Sequence, residues 1–291
     1  MSNTYRTDFD RLRLDPGFGE VLSALERGFT RFGIDYFLVG AVSRNAWLSG
    51  VHGIAPKRQT SDVDFGVFIS KAGMYEKLID HLTHAEGFLS THENAFVLIW
   101  KDGTQIDLLP FGEIEDNERR VTVAGSGFTS MHVEGFREVY ALGLPEIELE
   151  GGYRFKLATL PGIVLLKLIA WDDRPELRSD DITDIAEILD HFFEINKEVI
   201  WEHHSDLFSE APSVDDGRGG LLMIAARVLG KELGKIIVHT AELHQRILGI
   251  MRRNTLDART SDMGRIMAKY FETTVEQSRL VIKEIEQGIM D

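Results

Sequence analysis

The stretch from Asp62 to Ile69 constrains the fold most, because it alternates in polarity and begins with two aspartates. Successive side chains of a strand point to opposite faces, so Asp62 and Asp64 share one face. The other face collects the apolar residues Val63, Phe65, Val67 and Ile69. Two neighbouring carboxylates repel each other unless a cation lies between them. The pattern predicts a strand with a divalent metal at its start; the alternative is a solvated, aspartate-rich turn.

Composition limits the classes of protein to consider. A length of 291 residues allows one domain or two, and 43% apolar and 27% charged residues are typical of a soluble globular protein. The absence of cysteine excludes disulfides, thiolate chemistry and cysteine-ligated zinc. The amino terminus has no apolar signal-like region, and the longest apolar run, 163–171, is too short to span a bilayer. We therefore expect a cytoplasmic protein without a membrane segment.

The net charge of −15 is concentrated in one part of the chain. Residues 172–216 contain 15 acidic and 3 basic residues, a balance of −12. From Gly217 onward, 12 basic and 9 acidic residues give +3. The whole protein is therefore not a phosphate-coating nucleic-acid binder, although a local basic surface stays open.

Gly40 follows the short apolar strand Tyr36–Val39 and precedes small residues that open a helix. A glycine turn of this kind brings backbone N–H groups close to a ligand, and helix N-termini favour phosphate. The alternative is an ordinary strand-to-helix turn.

A third aspartate follows in a predicted hairpin. Residues 95–100 form one strand, Lys101-Asp102-Gly103 signals the turn, and 104–110 returns with Asp107 at its middle. Asp107 either faces solvent or joins the other two aspartates. Three carboxylates can hold two divalent ions, which would grip a triphosphate and activate an attacking hydroxyl for in-line phosphoryl chemistry.

The second half of the chain is predicted to be helical. Lys167 interrupts an apolar helix over 160–171, where it is either a site lysine or part of a core ion pair. Asp181 and Asp184 are neighbours near the start of an amphipathic helix, where they are either charges favoured by the helix dipole or partners for Arg178 and Lys167. Residues 203–218 are predicted to be a polar linker, and two long helical patterns, within 229–251 and 266–289, end the chain.

These motifs resemble the nucleotidyltransferase superfamily of polymerase-β fold. The resemblance rests on Phe37–Ala41, Arg58–Phe65 and Ile106–Gly112. The continuation, 160–171 with Arg174, Arg178, Asp181 and Asp184, is similar to the AbiEii-like branch, many members of which are toxins of toxin–antitoxin pairs. The resemblance implies an α/β (α+β) fold: a mixed sheet flanked by helices over residues 1–157. A helical domain over 158–291 would close the cleft, with helices at 158–205 and two long helices at 219–291.

The resemblance also implies roles for individual residues. Asp62, Asp64 and Asp107 would bind two Mg²⁺ ions, with Mn²⁺ as an alternative, and Asp107 would help to deprotonate the acceptor. An NTP is the implied substrate. The residues that would bind it are Gly40, Ala41, Arg44, Ser61, Lys167, Asp181 and Asp184.

Ala41 departs from the family pattern, which has glycine or serine at this position, and the loop before Asp62 is long. The polar turn precedes the Asp-x-Asp pair and the apolar residues follow it, an order that disfavours haloacid-dehalogenase-type phosphatases and metal-dependent glycosyltransferases. The preferred function is transfer of NMP to an acceptor hydroxyl: an RNA 3′ end, a protein hydroxyl or a small molecule. The alternative is a catalytically degenerate nucleotide-binding or partner-binding module, whose partner would be a cognate antitoxin.

Overall fold

The computed structural model describes residues 4–12, 14, 17–55, 62–210 and 218–291. The chain forms two compact units, Met1–Thr159 and Leu160–Asp291. Within the described ranges, every helix is too short or too polar to cross a membrane.

The first unit contains all the described strands. The strands are β1 (Thr4–Thr7), β2 (Asp35–Leu38), β3 (Asp62–Ile69), β4 (Leu89–Ser90), β5 (Val97–Ile99), β6 (Gln105–Gly112), β7 (Arg120–Thr122), β8 (Ser130–His132), β9 (Glu146–Leu149) and β10 (Arg154–Leu157). The helices are α1 (Phe9–Leu12), α2 (Phe18–Phe32), α3 (Gly40–Asn45), α4 (Met74–His84) and α5 (Phe136–Ala141). A π-helical turn, Ala46–Val51, continues directly from α3.

Eight of the described strands form one mixed sheet in the order β1-β9-β10-β2-β3-β6-β5-β4, and β7 pairs with β8 separately. The central strand β3 runs antiparallel to β2 and parallel to β6. The strands β5 and β6 form the predicted hairpin around residues 101–103. The mixed sheet flanked by helices is confirmed.

The apolar face of β3 supplies the core that the alternation predicts. Val63, Phe65, Val67 and Ile69 are all buried. Tyr36 of β2 lies beside this row, and its ring stacks on Phe29 of α2 with the centroids 4.2 Å apart. Helix α2 ends at Gly33, as the sequence predicts, in a left-handed conformation. Because this face is buried in the core, Asp62 and Asp64 must project from the opposite face of β3.

An aromatic cluster covers the carboxyl end of the opposite face. Phe111 contacts both Phe37 and Phe68, and the three rings also contact two rings of α5, Phe136 and Tyr140. The Tyr140 hydroxyl and the Lys156 ammonium both donate to the Asp35 carboxylate. Burial alone would raise the pKa of Asp35, but these two donors lower it below its usual value. Helix α5 is thus held on the sheet by both packing and charge.

The Phe37 ring of this cluster packs directly against Gly66, which has no side chain. A Cβ at Gly66 would lie 2.6 Å from Phe37 Cε1, closer than van der Waals contact allows. We predict that Gly66→Ala lowers the free energy of unfolding by about 1–3 kcal/mol through overpacking, measured by urea denaturation. Phe37→Leu in the same chain should recover part of that loss. If Gly66→Ala lowered the free energy of unfolding equally with Phe or with Leu at position 37, the result would contradict the predicted contact.

The second unit is helical in its described residues, which confirms the predicted helical C-terminal part. Its helices are α6 (Leu160–Asp173), α7 (Ser179–His203), α8 (Leu207–Glu210), α9 (Arg218–Ile237), α10 (Ala241–Thr255), α11 (Asp262–Phe271) and α12 (Val275–Met290). Residues 211–217 of the predicted linker lie outside the described residues.

The prediction of two long C-terminal helices is wrong, because each pattern is divided in two. Extended backbone at Thr240 separates α9 from α10. The second break begins at Glu272, which adopts a left-handed conformation, and Thr274 then starts α12 with a capping box to Gln277. Apolar periodicity continues across both breaks because all four helices bury a face in the same unit. The signal for the second break was therefore the Thr274–Gln277 capping pattern rather than the periodicity.

Candidate active site

The three predicted aspartates lie on two neighbouring parallel strands. Asp64 of β3 is the register partner of Asp107 of β6, and Asp62 is the partner of Gln105. Partners in a ladder project to the same face, so these four residues form a square of three carboxylates and one amide. All four are half-buried. The structure therefore brings together the aspartates that the sequence places 43 residues apart (64 to 107).

Gln105 is the member of this square that the sequence analysis missed. Its Nε2 donates to Asp107 Oδ1 over 2.9 Å. The hydrogen bond orients the Asp107 carboxylate. The signal was available in the alternation, since Gln105 stands two residues before Asp107 and must share its face.

Gly40 lies directly against the Asp64 carboxylate. Its φ of +65° is in the left-handed region, which favours glycine. A Cβ built there would overlap Asp64 Oδ2 and lie only 2.9 Å from Asp64 Cγ. The Val39 N–H also donates to the Asp64 carbonyl over 2.9 Å. Two independent constraints, backbone conformation and space, therefore require glycine at this turn.

Two side chains fix α3 and its π-helical continuation to the sheet. Ser43 Oγ and Trp47 Nε1 both donate to the Ala158 carbonyl, over 3.3 and 2.8 Å. The Ala158 N–H in turn donates to the Leu38 carbonyl at the end of β2. The strand, the Gly40 turn and the helix are thus tied to one another next to Asp64.

A buried tyrosine supports the strand that carries Asp107. Tyr75 of α4 donates its hydroxyl to the Leu108 carbonyl over 3.0 Å. Burial raises the pKa of Tyr75, and the charges of Glu76 and Asp107 raise it further. The hydroxyl therefore stays protonated and keeps this hydrogen bond across the physiological pH range.

The donor set fits a hard divalent cation, although the side chains do not already form a closed metal site. Carboxylate oxygens are the ligands that Mg²⁺ prefers. Asp64 and Asp107 stand side by side, and the Asp64 carboxylate occupies the space that a side chain at Gly40 would fill. Over the described ranges, no three His, Asp or Glu side chains are grouped closely enough to hold a metal.

The structure also locates the other residues that the resemblance implicates. Ala41 is buried, and the fully buried Arg44 donates through Nη2 to Asn45 Oδ1 over 3.1 Å. A guanidinium in that position would contact a nucleotide only after its side chain moved. Ser61 lies outside the described residues. The nucleotide-binding roles of these residues stay predictions.

Lys167 forms a buried ion cluster in the second unit. Its ammonium lies 2.7 Å from both Asp181 Oδ1 and Asp184 Oδ2, and all three residues are at least nine-tenths buried. Arg178 approaches the second Asp181 oxygen at 3.8 Å. The core ion pair that the sequence left open is therefore present, and a role for Lys167 at a nucleotide stays a prediction.

The requirement for glycine at position 40 can be tested by comparison with a second glycine of similar backbone conformation. Gly33 has nearly the same φ, +63°, but a Cβ there meets nothing within 4 Å. We predict that Gly33→Ala costs about 1 kcal/mol from its backbone conformation alone. Gly40→Ala should cost about 1–3 kcal/mol more, because the Asp64 carboxylate must move. Urea denaturation measures both, and equal losses would contradict the close approach.

The Lys167 cluster gives a second prediction. Lys167→Met leaves Asp181 and Asp184 buried without their cation, so we expect a loss of about 3–5 kcal/mol in the free energy of unfolding. The control is Lys235→Met, which removes an exposed pair with Glu232 and should cost less than about 1 kcal/mol. Thermal and urea unfolding measure both variants. A loss for Lys167→Met no larger than the control's would show that the cluster is solvated.

Comparisons with solved structures include a neighbour of low similarity. No protein-family model matches the chain, and no curated protein matches its sequence. The solution structure of the antibiotic-resistance factor ANT(2'')-Ia is similar, with a TM-score of 0.37 and 11% identity. The similarity covers 82% of this chain and 97% of that one. A likeness of this size establishes neither a shared fold nor a shared activity.

Proposed function

We propose that the chain is a metal-dependent nucleotidyltransferase, which transfers NMP from an NTP to an acceptor hydroxyl and releases pyrophosphate. The supporting observation is the pairing of Asp64 with Asp107 on parallel strands, with Gly40 against the Asp64 carboxylate. A solvated aspartate-rich turn would not need a bare backbone at that distance. The proposal also explains how the protein would tolerate neighbouring carboxylates, since a bound cation offsets their repulsion.

Asp62, Asp64 and Asp107 are the proposed metal ligands. Two Mg²⁺ ions are expected, and bound divalent ions would neutralise phosphate charge and lower the pKa of the acceptor hydroxyl. Asp107 additionally accepts the hydroxyl proton in this proposal. Gln105 positions that carboxylate through its hydrogen bond to Oδ1.

The turn at Gly40 is the proposed phosphate-binding element. Backbone N–H groups at the start of a helix attract anions. Ser43 and Trp47 hold this helix to the Ala158 carbonyl, so the turn does not have to order itself when the nucleotide binds. A pre-ordered turn lowers the entropic cost of binding.

Three acceptor classes remain in the proposal: an RNA 3′ end, a protein hydroxyl and a small molecule. The acidic balance of −12 over residues 172–216 disfavours a long RNA surface in that part of the chain. Binding of tRNA that falls steeply with added salt would restore RNA as the acceptor.

A non-catalytic module is the second candidate. Ala41 lacks the serine hydroxyl or the glycine freedom of the family pattern, and the three aspartates do not form a ready three-ligand group. In this proposal the chain binds a nucleotide or a partner, such as the antitoxin of a toxin–antitoxin pair, without turnover. It predicts partner binding that survives Asp62→Asn and Asp107→Asn together.

Thermal unfolding with each of the four NTPs, with and without Mg²⁺, tests the proposed site. A ligand at about 100 times its Kd should add about 2.7 kcal/mol to the free energy of unfolding, a shift of several degrees in Tm. The shift should require Mg²⁺ and disappear in Asp62→Asn/Asp64→Asn. Asp80→Asn, an exposed aspartate on α4, is the matched control and should keep the shift.

Catalysis is tested separately, by following release of pyrophosphate with candidate acceptors of the three classes. Asp64→Asn should abolish release while the protein stays folded. An Asp64→Asn protein with full activity would overturn the metal assignment. The absence of any Tm shift with all four NTPs would favour the non-catalytic module.

A further inference from the structure

An exposed aromatic pair marks the surface where α7 ends and α8 begins. The Trp201 and Phe208 rings stack with their centroids 3.9 Å apart and their planes within 8°. The Trp201 residue is nevertheless 56% exposed, so Phe208 covers one face of the indole and the other faces solvent. Trp47, Trp100 and Trp171 are all buried. Trp201 is therefore the exposed tryptophan of this chain.

Both supporting elements hold the pair in place. Helix α7 bends at Asn196, whose Nδ2 donates to the Phe192 carbonyl over 2.9 Å and so satisfies a backbone group at the bend. Leu207 is buried at the start of α8 and anchors that turn. Phe193 packs edge-on against Phe208 with the ring centroids 6.1 Å apart. Rigid, exposed aromatic side chains are characteristic of the anchor positions of protein interfaces.

The segment that carries this pair is rich in carboxylates. Glu194, Glu198, Glu202 and Asp206 recur every four residues. Glu198 is three residues from Trp201 on the helix and therefore lies beside it. The one lysine between residues 190 and 206, Lys197, is paired with Glu194 at 2.6 Å. Lys231 and Lys235 of α9 lie near His204, but they are paired with Asp291 and Glu232. The segment that carries the exposed indole is therefore net negative.

We propose that this surface docks a basic segment of a partner protein, with an arginine side chain lying over the open face of Trp201. A guanidinium stacks on an indole ring and can pair with a carboxylate at its edge at the same time, whereas an ammonium does only the second well. The adjacent acidic residues supply those carboxylates. None of the residues involved belongs to the aspartate site, so this inference does not depend on the proposed function.

The charge of the patch disfavours other occupants. A second copy of the chain would bring the same acidic patch, on a protein with net charge −15. Anionic membrane headgroups and nucleic acid would both be repelled by the carboxylates.

The fluorescence of Trp201 provides the test. The probe is a synthetic peptide of alternating arginine and glycine, titrated into the full chain at physiological salt. Acrylamide should first quench one accessible tryptophan, and Trp201→Phe should remove that component. The peptide should then protect Trp201 from acrylamide. An indole already inaccessible in the free protein would overturn the proposal, because the surface would be covered.

Variants separate docking from general attraction to an acidic protein. Trp201→Ala, followed by calorimetry, should weaken peptide binding about tenfold, while Trp201→Phe keeps a ring and most of the affinity. Glu198→Lys should weaken it more than Glu276→Lys, an equal change of charge on α12. A control peptide of the same length, with lysine in place of every arginine, should bind more weakly than the arginine peptide. Equal binding by Trp201→Ala, or by the lysine peptide or spermine, would show only non-specific charge attraction and overturn the proposal.

Discussion

The parallel pairing of β3 with β6 is the constraint on which the rest of the first unit depends. Because Asp64 is opposite Asp107, the faces of all the remaining residues of both strands are determined. The apolar rows point toward α2 and α4, and the polar and aromatic residues point toward α5. A shift of one residue would bury the aspartates and expose Phe65. Gly40 then fits against Asp64 only because it has no side chain. Register and glycine together therefore define the candidate site.

The two units treat clustered carboxylates in different ways. In the sheet, Asp62, Asp64 and Asp107 are half-buried, and the amide of Gln105 supplies a neutral donor to one of them. In the helical unit, Asp181 and Asp184 are buried against the Lys167 ammonium. A buried pair that already has its cation contributes to a specific helix packing. A half-buried group of acids is more accessible to an external cation than a buried one.

Much of the first unit was predictable because its signals are local. The alternation over 62–69, the turn at residues 101–103 and the terminating Gly33 each depend on neighbouring residues, and all three agree with the structure. The two-helix prediction for the C-terminus failed because apolar periodicity reports burial, and burial continues through the breaks at Thr240 and Glu272. Gln105 was overlooked although its position two residues before Asp107 was informative. The Trp201–Phe208 pair could not have been predicted, since the return of α8 brings these rings together.

The sequence by itself determined which side chains could perform the chemistry. These are two aspartates on one face of a strand, a third aspartate in a later strand, and a glycine after a short strand. These features are local, because strand alternation and backbone freedom depend on residue type. Only the tertiary structure decided that Asp64 faces Asp107, that Gly40 touches Asp64, and that Arg44 and Lys167 are buried. Strand order and burial are set by packing between distant segments. The pattern of a single segment does not contain that information.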